Sequence, residues 1–482
     1  MLSDTLHGRR PTSIVASTTV VRRPRPTIFI ECTHTYHGDL NTGIQRVVRN
    51  VLRNAPAVAH DYGYDVVPVI VEADSFHFAD ADRVLANKQA GGGASATNSS
   101  LPPPSLKQRL WRVLLRILAA ALPFPAVRAF LYAPPDRLGL ARALSLLSPF
   151  RHRPPSRPVG ALDSLDDYDR CDGSILLLLD SSWATPIWPG TRRFKKRGGM
   201  VVGVIYDLIP ITHGYTCVPE LTVAFKAWIA GHLRFSDGFV CISCSVAHAL
   251  AHHIRGLRPH RAIPSRRIDH FHLASELDFT ESSAPVRPAI RDIFNVREHI
   301  FLMVGTIEPR KMHSYVLDGF ERFWTDGNNA VLVIVGWYSW KMEAFLDRVE
   351  NHSELGQRLF VLRDATDAEL DYCYRNASSL VIASQVEGFG LPVVEAFQRG
   401  LPVMCSDIPV FREIADGKAV FFSLSDPANL TAAVEDFCNR VPVGDRSKRV
   451  PQGWISWRQS TEQLFAAIMR IRLRPQVPIQ GR

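Results

Sequence analysis

Short apolar runs alternate with stretches of helical periodicity through most of the chain, the pattern of parallel sheets whose two faces are covered by helices. In the first half the runs are Thr27 to Glu31, Val66 to Val71, Ser174 to Leu179, Met200 to Tyr206 and Gly238 to Ile242. In the second half they are Phe301 to Val304, Ala330 to Val335, Leu359 to Leu362, Ser379 to Ala383, Leu401 to Met404 and Ala419 to Phe422. Each half is therefore expected to build one sheet. Between them Thr280 to Pro288, TESSAPVRP, is polar, contains proline and lacks periodicity, which predicts an interdomain linker. The resulting division is an N-terminal domain over 27–285 and a C-terminal domain over 286–453, preceded by a disordered leader (1–26) and followed by a helix (454–474) and a tail (475–482).

One region breaks the alternation. Gly91 to Ser105, GGGASATNSSLPPPS, reads as a flexible and then stiff connector opening an insertion over about 88–160. Ser105 and Gln108 have the spacing of a capping box, and no breaker follows until Pro123, so a helix over 105–122 is expected. Arg109, Arg112 and Arg116 fall on one narrow face of it, while Leu110, Trp111, Leu114, Leu115, Ile117, Leu118 and Leu122 fill the remainder. That is the pattern of a helix lying in a membrane interface. An apolar stripe alone more often marks a helix buried in the N-terminal core; the flexible connector before it, the arginines along it and the basic residues after it bring the membrane reading level with that alternative.

A length of 482 residues suits two α/β domains of ordinary size, and 46% hydrophobic with 21% charged residues is the balance of a globular protein. No apolar run reaches the roughly 18–20 residues that span a bilayer. The first residues lack the apolar core and cleavage site of a secretory signal, and the eight cysteines are scattered, so a reducing compartment, the cytoplasm, is expected. Cys241 and Cys244 form a CxxC string with no second pair at metal-site spacing. The net charge is +9, and residues 101–160 alone carry ten basic residues against the single acid Asp136, so the excess sits in the insertion. An anionic membrane surface, the inner face of the cytoplasmic membrane, is the partner this suggests. Nucleic acid is not expected, because no recognition motif accompanies the charge.

Two strings carry chemistry. Glu387-Gly-Phe-Gly-Leu-Pro-Val-Val-Glu395 follows the apolar run Ser379 to Ala383 directly. Its glycines allow a backbone to approach a ligand closely, and Pro392 fits the first turn of a helix whose N-terminal NH groups suit an anion. Starting that helix near Leu391 puts Glu395 one turn in, able to face the same cleft as Glu387. The second string, Val304-Gly-Thr-Ile-Glu-Pro-Arg-Lys311, also ends an apolar strand, where crevice sites of α/β sheets lie. Arg310 and Lys311 could neutralise a diphosphate. A solvated basic turn explains this second string about as well when it is taken alone.

These residues resemble the retaining glycosyltransferases of the GT-B fold, specifically the large family 4 that includes bacterial mannosyl- and rhamnosyltransferases. Glu387 and Glu395 match its E-x7-E signature. The resemblance implies two Rossmann-like domains with a cleft between them and a closing C-terminal helix, here Trp454 to Ile471, returning to the first domain. By the same resemblance Glu387 contacts donor-sugar hydroxyls, Gly388, Phe389, Gly390 and Leu391 hold sugar and phosphate, Glu395 binds ribose, and Arg310 and Lys311 hold the diphosphate beside Gly305 and Thr306. Thr42-Gly-Ile-Gln-Arg-Val47 is similar to the family's N-terminal glycine loop, which places Gly43 at the donor, and Tyr206-Asp-Leu-Ile-Pro210 is similar to the catalytic-cleft segment, which makes Asp207 a catalytic candidate. This chain departs from the pattern in having Tyr206 where many relatives have His, Thr306 where many have Arg, and Met312 where a small or amide residue is usual.

Implied with the family is a retaining reaction without a carboxylate nucleophile, drawing a hexose such as mannose from a nucleoside-diphosphate sugar to a glycan or lipid-linked acceptor in cell-surface polysaccharide synthesis. No cofactor beyond that substrate and no metal is expected. Asp167-Tyr-Asp169 and Asp80-Ala-Asp82 match the letters of a metal-binding Asp-x-Asp but not its place at a strand end. A nucleotide-sugar 2-epimerase of the same architecture and a non-catalytic sugar-nucleotide binding module are the rival readings, since fold alone separates none of them. The membrane expectation is open to direct measurement. Each basic residue near an anionic surface contributes about 1 kcal/mol, so the protein should co-sediment with anionic but not neutral vesicles at low salt. Changing Arg109, Arg112 and Arg116 to Glu should abolish this, and equal pelleting of both proteins would return the helix to the core.

Overall fold

A computed structural model describes residues 25–38, 43–86, 164–167, 171–257, 267–275, 285–444 and 450–473. The insertion with its expected helix over 105–122, the leader up to residue 24, Thr42 and most of the expected linker lie outside these residues.

Two sheets form, one from each half. The first contains β1 (Thr27–Glu31), β2 (Asp65–Glu72), β3 (Ser75–Phe78), β4 (Ile175–Leu178), β5 (Met200–Ile205), β6 (Gly238–Cys241) and β7 (Ile268–His270), in the order β3-β2-β1-β4-β5-β6-β7. The second contains β8 (His299–Val304), β9 (Ala330–Val335), β10 (Leu359–Leu362), β11 (Ser379–Ile382), β12 (Val403–Ser406) and β13 (Val420–Phe422), in the order β10-β9-β8-β11-β12-β13. Every residue of β4 and β9 is buried, which is why these strands read as unbroken apolar runs: helices cover both faces of a parallel sheet. The expectation of purely parallel sheets needs one correction. β3 pairs antiparallel with β2 through the tight turn at Ala73 and Asp74, both with positive φ. β12 also begins two residues later than its apolar run, because Pro402 has no N–H for the ladder and serves only as an acceptor for Leu380.

Strand order reverses between β1 and β4 in the first sheet and between β8 and β11 in the second. At such switch points neighbouring loops leave in opposite directions and open a crevice at the carboxyl ends of the strands. Both chemistry-bearing strings, the loops after β8 and β11, emerge at the second switch point.

The C-terminal helix Trp457–Leu473 crosses back to the first sheet. Ile471 packs so closely on Gly238 of β6 that a Cβ there would overlap its side chain, and Phe465 lies 6.4 Å from the Tyr62 ring. Ser460 and Gln463 bond the backbone of His272, and Arg470 pairs with Asp269 of β7. Trp454 precedes the helix and donates to the Leu273 carbonyl at 2.7 Å. The end of the expected linker belongs to the second half, since Pro288 begins the helix Pro288–Phe294 and Arg287 is paired with Asp364 and Glu369. Leu464 is fully buried where the C-terminal helix meets the first half. Leu464→Ala should cost about 2–5 kcal/mol in denaturant unfolding, and unchanged stability would show that this helix is not integral to the fold.

Candidate functional site

The loop after β8 is shaped by backbone contact. Gly305 adopts φ +142°, and a Cβ at Gly336, just after β9, would overlap the Gly305 carbonyl, so the two strand ends meet without side chains between them. Lys311 folds back over this point, its Nζ 3.7 Å from where a Gly305 Cβ would lie. Pro309–Lys311 form a 3-10 turn, which Met312 ends in the left-handed region (φ 57°, ψ 41°) before the helix His313–Thr325. A residue with a Cβ is strained in this region by roughly 1–2 kcal/mol, which glycine avoids and asparagine tolerates better than methionine does.

The loop after β11 is bound on both sides. Gly390 (φ +107°) caps the helix Leu391–Gln398 with Pro392 in its first turn, and a Cβ at Gly390 would stand 2.7 Å from the Phe411 ring. Gly388 is pressed against the first half. A Cβ there would overlap the Tyr206 carbonyl oxygen and lie 3.3 Å from the Asp207 side chain, while Ser243 donates its hydroxyl to the Gly388 carbonyl at 2.8 Å. Phe389 is buried and Thr306 is exposed.

Charge joins the two loops. Glu387 Oε1 accepts from Lys311 Nζ and from Ser384 Oγ (2.8 Å), and Glu387 Oε2 lies 2.7 Å from Arg310 Nη1. Arg310 Nη2 reaches Glu308 at 2.6 Å, so this guanidinium spans two carboxylates. Side-chain exposure is 19% for Arg310 and 8% for Glu387, which rules out a solvated basic turn. Burial alone pushes the Glu387 carboxyl up, but Arg310, Lys311 and the bonds from Lys311 and Ser384 outweigh it and hold the group at about 2. Glu308 goes the other way: burial raises its carboxyl despite Arg310 and Lys311. Asp207 is likewise raised by burial, against the bond its Oδ1 accepts from the Ile209 N–H at 2.9 Å.

The structure separates the two glutamates of the second string. Glu395 is one turn into its helix as expected, yet it meets neither Arg310 nor Lys311; it accepts from Arg46 Nη1 at 3.0 Å and from the Tyr374 hydroxyl at 2.7 Å. Arg46 belongs to the helix Gly43–Asp61 of the first half, and Gly43 at its start faces Leu391, whose Cδ1 is 3.6 Å from where a Cβ would sit. Tyr206 meets Gly388 with its backbone only, and its side chain is turned away. Its hydroxyl donates to the Leu179 carbonyl and its ring is buried in the first half, leaving Asp207 as the polar side chain that faces the loop.

Several contributors carry no local signal. Besides Ser243 and Ser384 there is Glu413, which accepts from the Cys244 and Ser245 N–H groups, the Ser245 hydroxyl and His272. It thereby caps the helix Cys244–Leu257 from the opposite half, and those bonds, led by His272 and Ser245, overcome burial to hold its carboxyl at about 2. Cys241 ends β6 in the core while Cys244 opens that helix, so the CxxC string is split between two elements. Asp80 caps the short helix Ala81–Leu85, Asp167 closes a 3-10 turn, and Asp169 lies outside the described residues. Among the described residues no helix is long and apolar enough to cross a membrane.

Residues 287–444 match the family model described as "Glycosyl transferases group 1". Serotype-specific mannosyltransferase WbdA of Escherichia coli is 33% identical over 277 residues, covering 56% of this chain and 34% of that protein. O-antigen chain mannosyltransferase RfbU of Salmonella typhimurium is 31% identical over 141 residues, 29% of this chain and 38% of that protein. The chain thus spans about a third of the length of these curated relatives. Among solved structures, the N-terminal domain of Candida albicans trehalose-6-phosphate phosphatase superposes with a TM-score of 0.54 over 93% of this chain and 97% of that one. Trehalose-6-phosphate synthase OtsA superposes with a TM-score of 0.52 over 93% and 99%. Both are 12% identical, which speaks to fold only. The fold is GT-B, two Rossmann-like halves closed by a C-terminal helix, and its second half carries the group 1 glycosyl transferase segment.

Proposed function

We propose that this chain is a retaining glycosyltransferase that moves a hexose, most simply mannose from GDP-mannose, to a glycan or lipid-linked acceptor in cell-surface polysaccharide synthesis. The observation that carries the reading is the Glu387–Arg310–Lys311 cluster, set at a switch point and facing Asp207 across the halves. The names of the relatives, two mannosyltransferases of which one is an O-antigen enzyme, favour the sugar and the pathway class. Action in the cytoplasm, with the basic insertion resting on the membrane, completes the proposal.

In this mechanism the bond from the anomeric carbon to the diphosphate oxygen breaks, and an acceptor hydroxyl oxygen bonds to the same face of the sugar. Its proton passes to the departing phosphate oxygen. Glu387 accepts hydrogen bonds from sugar hydroxyls, Glu395 from the ribose. Lys311 and Arg310 meet negative charge that grows as the diphosphate leaves, so they favour the transition state over the bound donor. Those cations make a metal unnecessary in the proposal.

Two measurements test it. Nucleotide release is assayed with and without a mannan-type acceptor, in the presence of excess chelator. Transfer releases nucleotide only with both substrates; conversion of the donor to its C2 epimer without acceptor would identify an epimerase, and neither reaction a binding module. Loss of activity in chelator, restored by divalent metal, would overturn the metal-free mechanism. The second concerns pH. The folded pKa of Glu387, about 2, lies below its unfolded value of about 4.3. Its contribution to stability is therefore complete above about pH 5 and is lost as pH falls towards 2. Turnover between about pH 5 and 8 should show no limb from Glu387, and Glu387→Gln should lower kcat about ten- to a hundredfold throughout that window. A limb that this substitution removed would make Glu387 a proton donor instead.

A further inference from the structure

The helices Gly43–Asp61 and Leu391–Gln398 come from different halves and meet at their N-termini, where Gly43 faces Leu391. One turn further along each helix stand Arg46 and Glu395, paired at 3.0 Å with side chains 14% and 3% exposed. A carboxylate buried to this degree needs a partner for its charge and a donor on each oxygen. Arg46 supplies the charge to Oε1, and Tyr374, from the helix Asp367–Asn376 of the same half as Glu395, supplies the donor to Oε2 at 2.7 Å. An ionised carboxylate has about four lone-pair directions. Among the described residues one side chain donates to each oxygen, which fixes its plane and leaves about two directions for a ligand.

We propose that Arg46 is a positioning residue for the donor nucleotide: it holds the Glu395 carboxylate in the orientation from which the free lone pairs accept the ribose hydroxyls. The proposal rests on the assignment of Glu395 to the ribose. Because Arg46 is carried by the first half and Glu395 by the second, the ribose contact is complete only when the halves are together. Without Arg46, the buried carboxylate loses its counter-charge, and proton or water uptake replaces a fixed acceptor with an ill-oriented one. The consequence falls on the ribose hydroxyls and leaves the diphosphate contacts at Arg310 and Lys311 as they were.

Ribose recognition separates this role from that of an ordinary bridge between halves. Affinities of GDP and UDP, and of their 2′,3′-dideoxy forms, are measured by calorimetry for wild type, Arg46→Ala, Arg46→Lys and Glu395→Gln. Wild type should prefer the ribonucleotide by about ten- to a hundredfold. Arg46→Ala should shrink that preference to a few-fold while binding the dideoxy form as wild type does, Arg46→Lys should recover part of it, and Glu395→Gln should lack most of it. Equal weakening of both forms in Arg46→Ala, or no change in either, would overturn the positioning role and leave the ribose assignment standing. A wild type with no preference, or with no binding of either nucleotide, would remove the ribose assignment and this proposal with it. Arg46→Lys, which keeps the charge, covers the case in which the alanine variant fails to fold.

Discussion

Where the ends of β8 and β11 meet, Glu387 holds together two loops 76 residues apart in sequence by pairing with Arg310 and Lys311. Moving such groups out of water costs several kcal/mol each, and their mutual attraction offsets this only when every oxygen and N–H is placed. Placement is close to complete: both Glu387 oxygens are used, Ser384 adds a donor, and Arg310 reaches Glu308 with its other arm. Removing one partner would leave an uncompensated buried charge, typically a loss of about 3–5 kcal/mol. The glycines answer a second constraint. Each of the two loops also runs backbone against backbone with a further neighbour, Gly305 with Gly336 after β9 and Gly388 with Tyr206 of the first half.

Several polar contacts to backbone tie the first half to this arrangement. Ser243 bonds the Gly388 carbonyl, Glu413 caps the helix Cys244–Leu257, Trp340 donates to the Thr216 carbonyl, and Lys341 donates to the carbonyls of Tyr215 and Cys217. Contacts of this kind fix a geometry when made and can be exchanged for water when broken, unlike an apolar core, which must stay shut. Apolar packing crosses as well: buried residues of both halves form one continuous core, and His272 and Trp454 lie 5.9 and 6.1 Å from the Phe389 ring. The element that crosses back from the second half therefore also touches the loop after β11.

How far a sequence reveals such a structure depends on the range of the interaction. Strands buried on both faces were readable because their apolar runs are continuous, and β1 and β9 coincide with theirs at both ends; the edge strand β10, with only Leu359 buried, is marked by its apolar run all the same. β3 and β7 were not readable: they are short edge strands whose residues include His77, Asp269 and His270, with no apolar excess to mark them. At the site, Glu387, Arg310, Lys311 and the glycines are marked by strings in which spacing and turn chemistry agree. Arg46 stands inside a recognisable string too, but its partner is 349 residues away, and Glu413 lies 169 residues from the Cys244 N–H it accepts. Such pairs are set by topology and leave no periodicity or spacing to read. Tyr206 shows the opposite limit. Its neighbourhood in sequence suggests the cleft, whereas its ring serves the core, because Asp207 next to it already faces Gly388.

The carboxylates near Arg310 divide into two kinds, and the division bears on how an anionic donor could be accommodated. Arg310 and Lys311 are not free cations awaiting a diphosphate, since Glu387 and Glu308 already occupy them. Were every nearby carboxylate held as strongly ionised as Glu387, an entering diphosphate would meet a neutral or negative surface and be repelled. Glu308 and Asp207 differ, because burial raises their carboxyls towards the neutral form. An incoming anion would act on both in the same direction, since added negative charge raises neighbouring carboxyls. Glu387, paired on both oxygens, is the partner that fixes where the two cations stand. The proposed reaction needs that geometry set before the diphosphate begins to depart, so that no reorganisation is left for the moment of bond breaking.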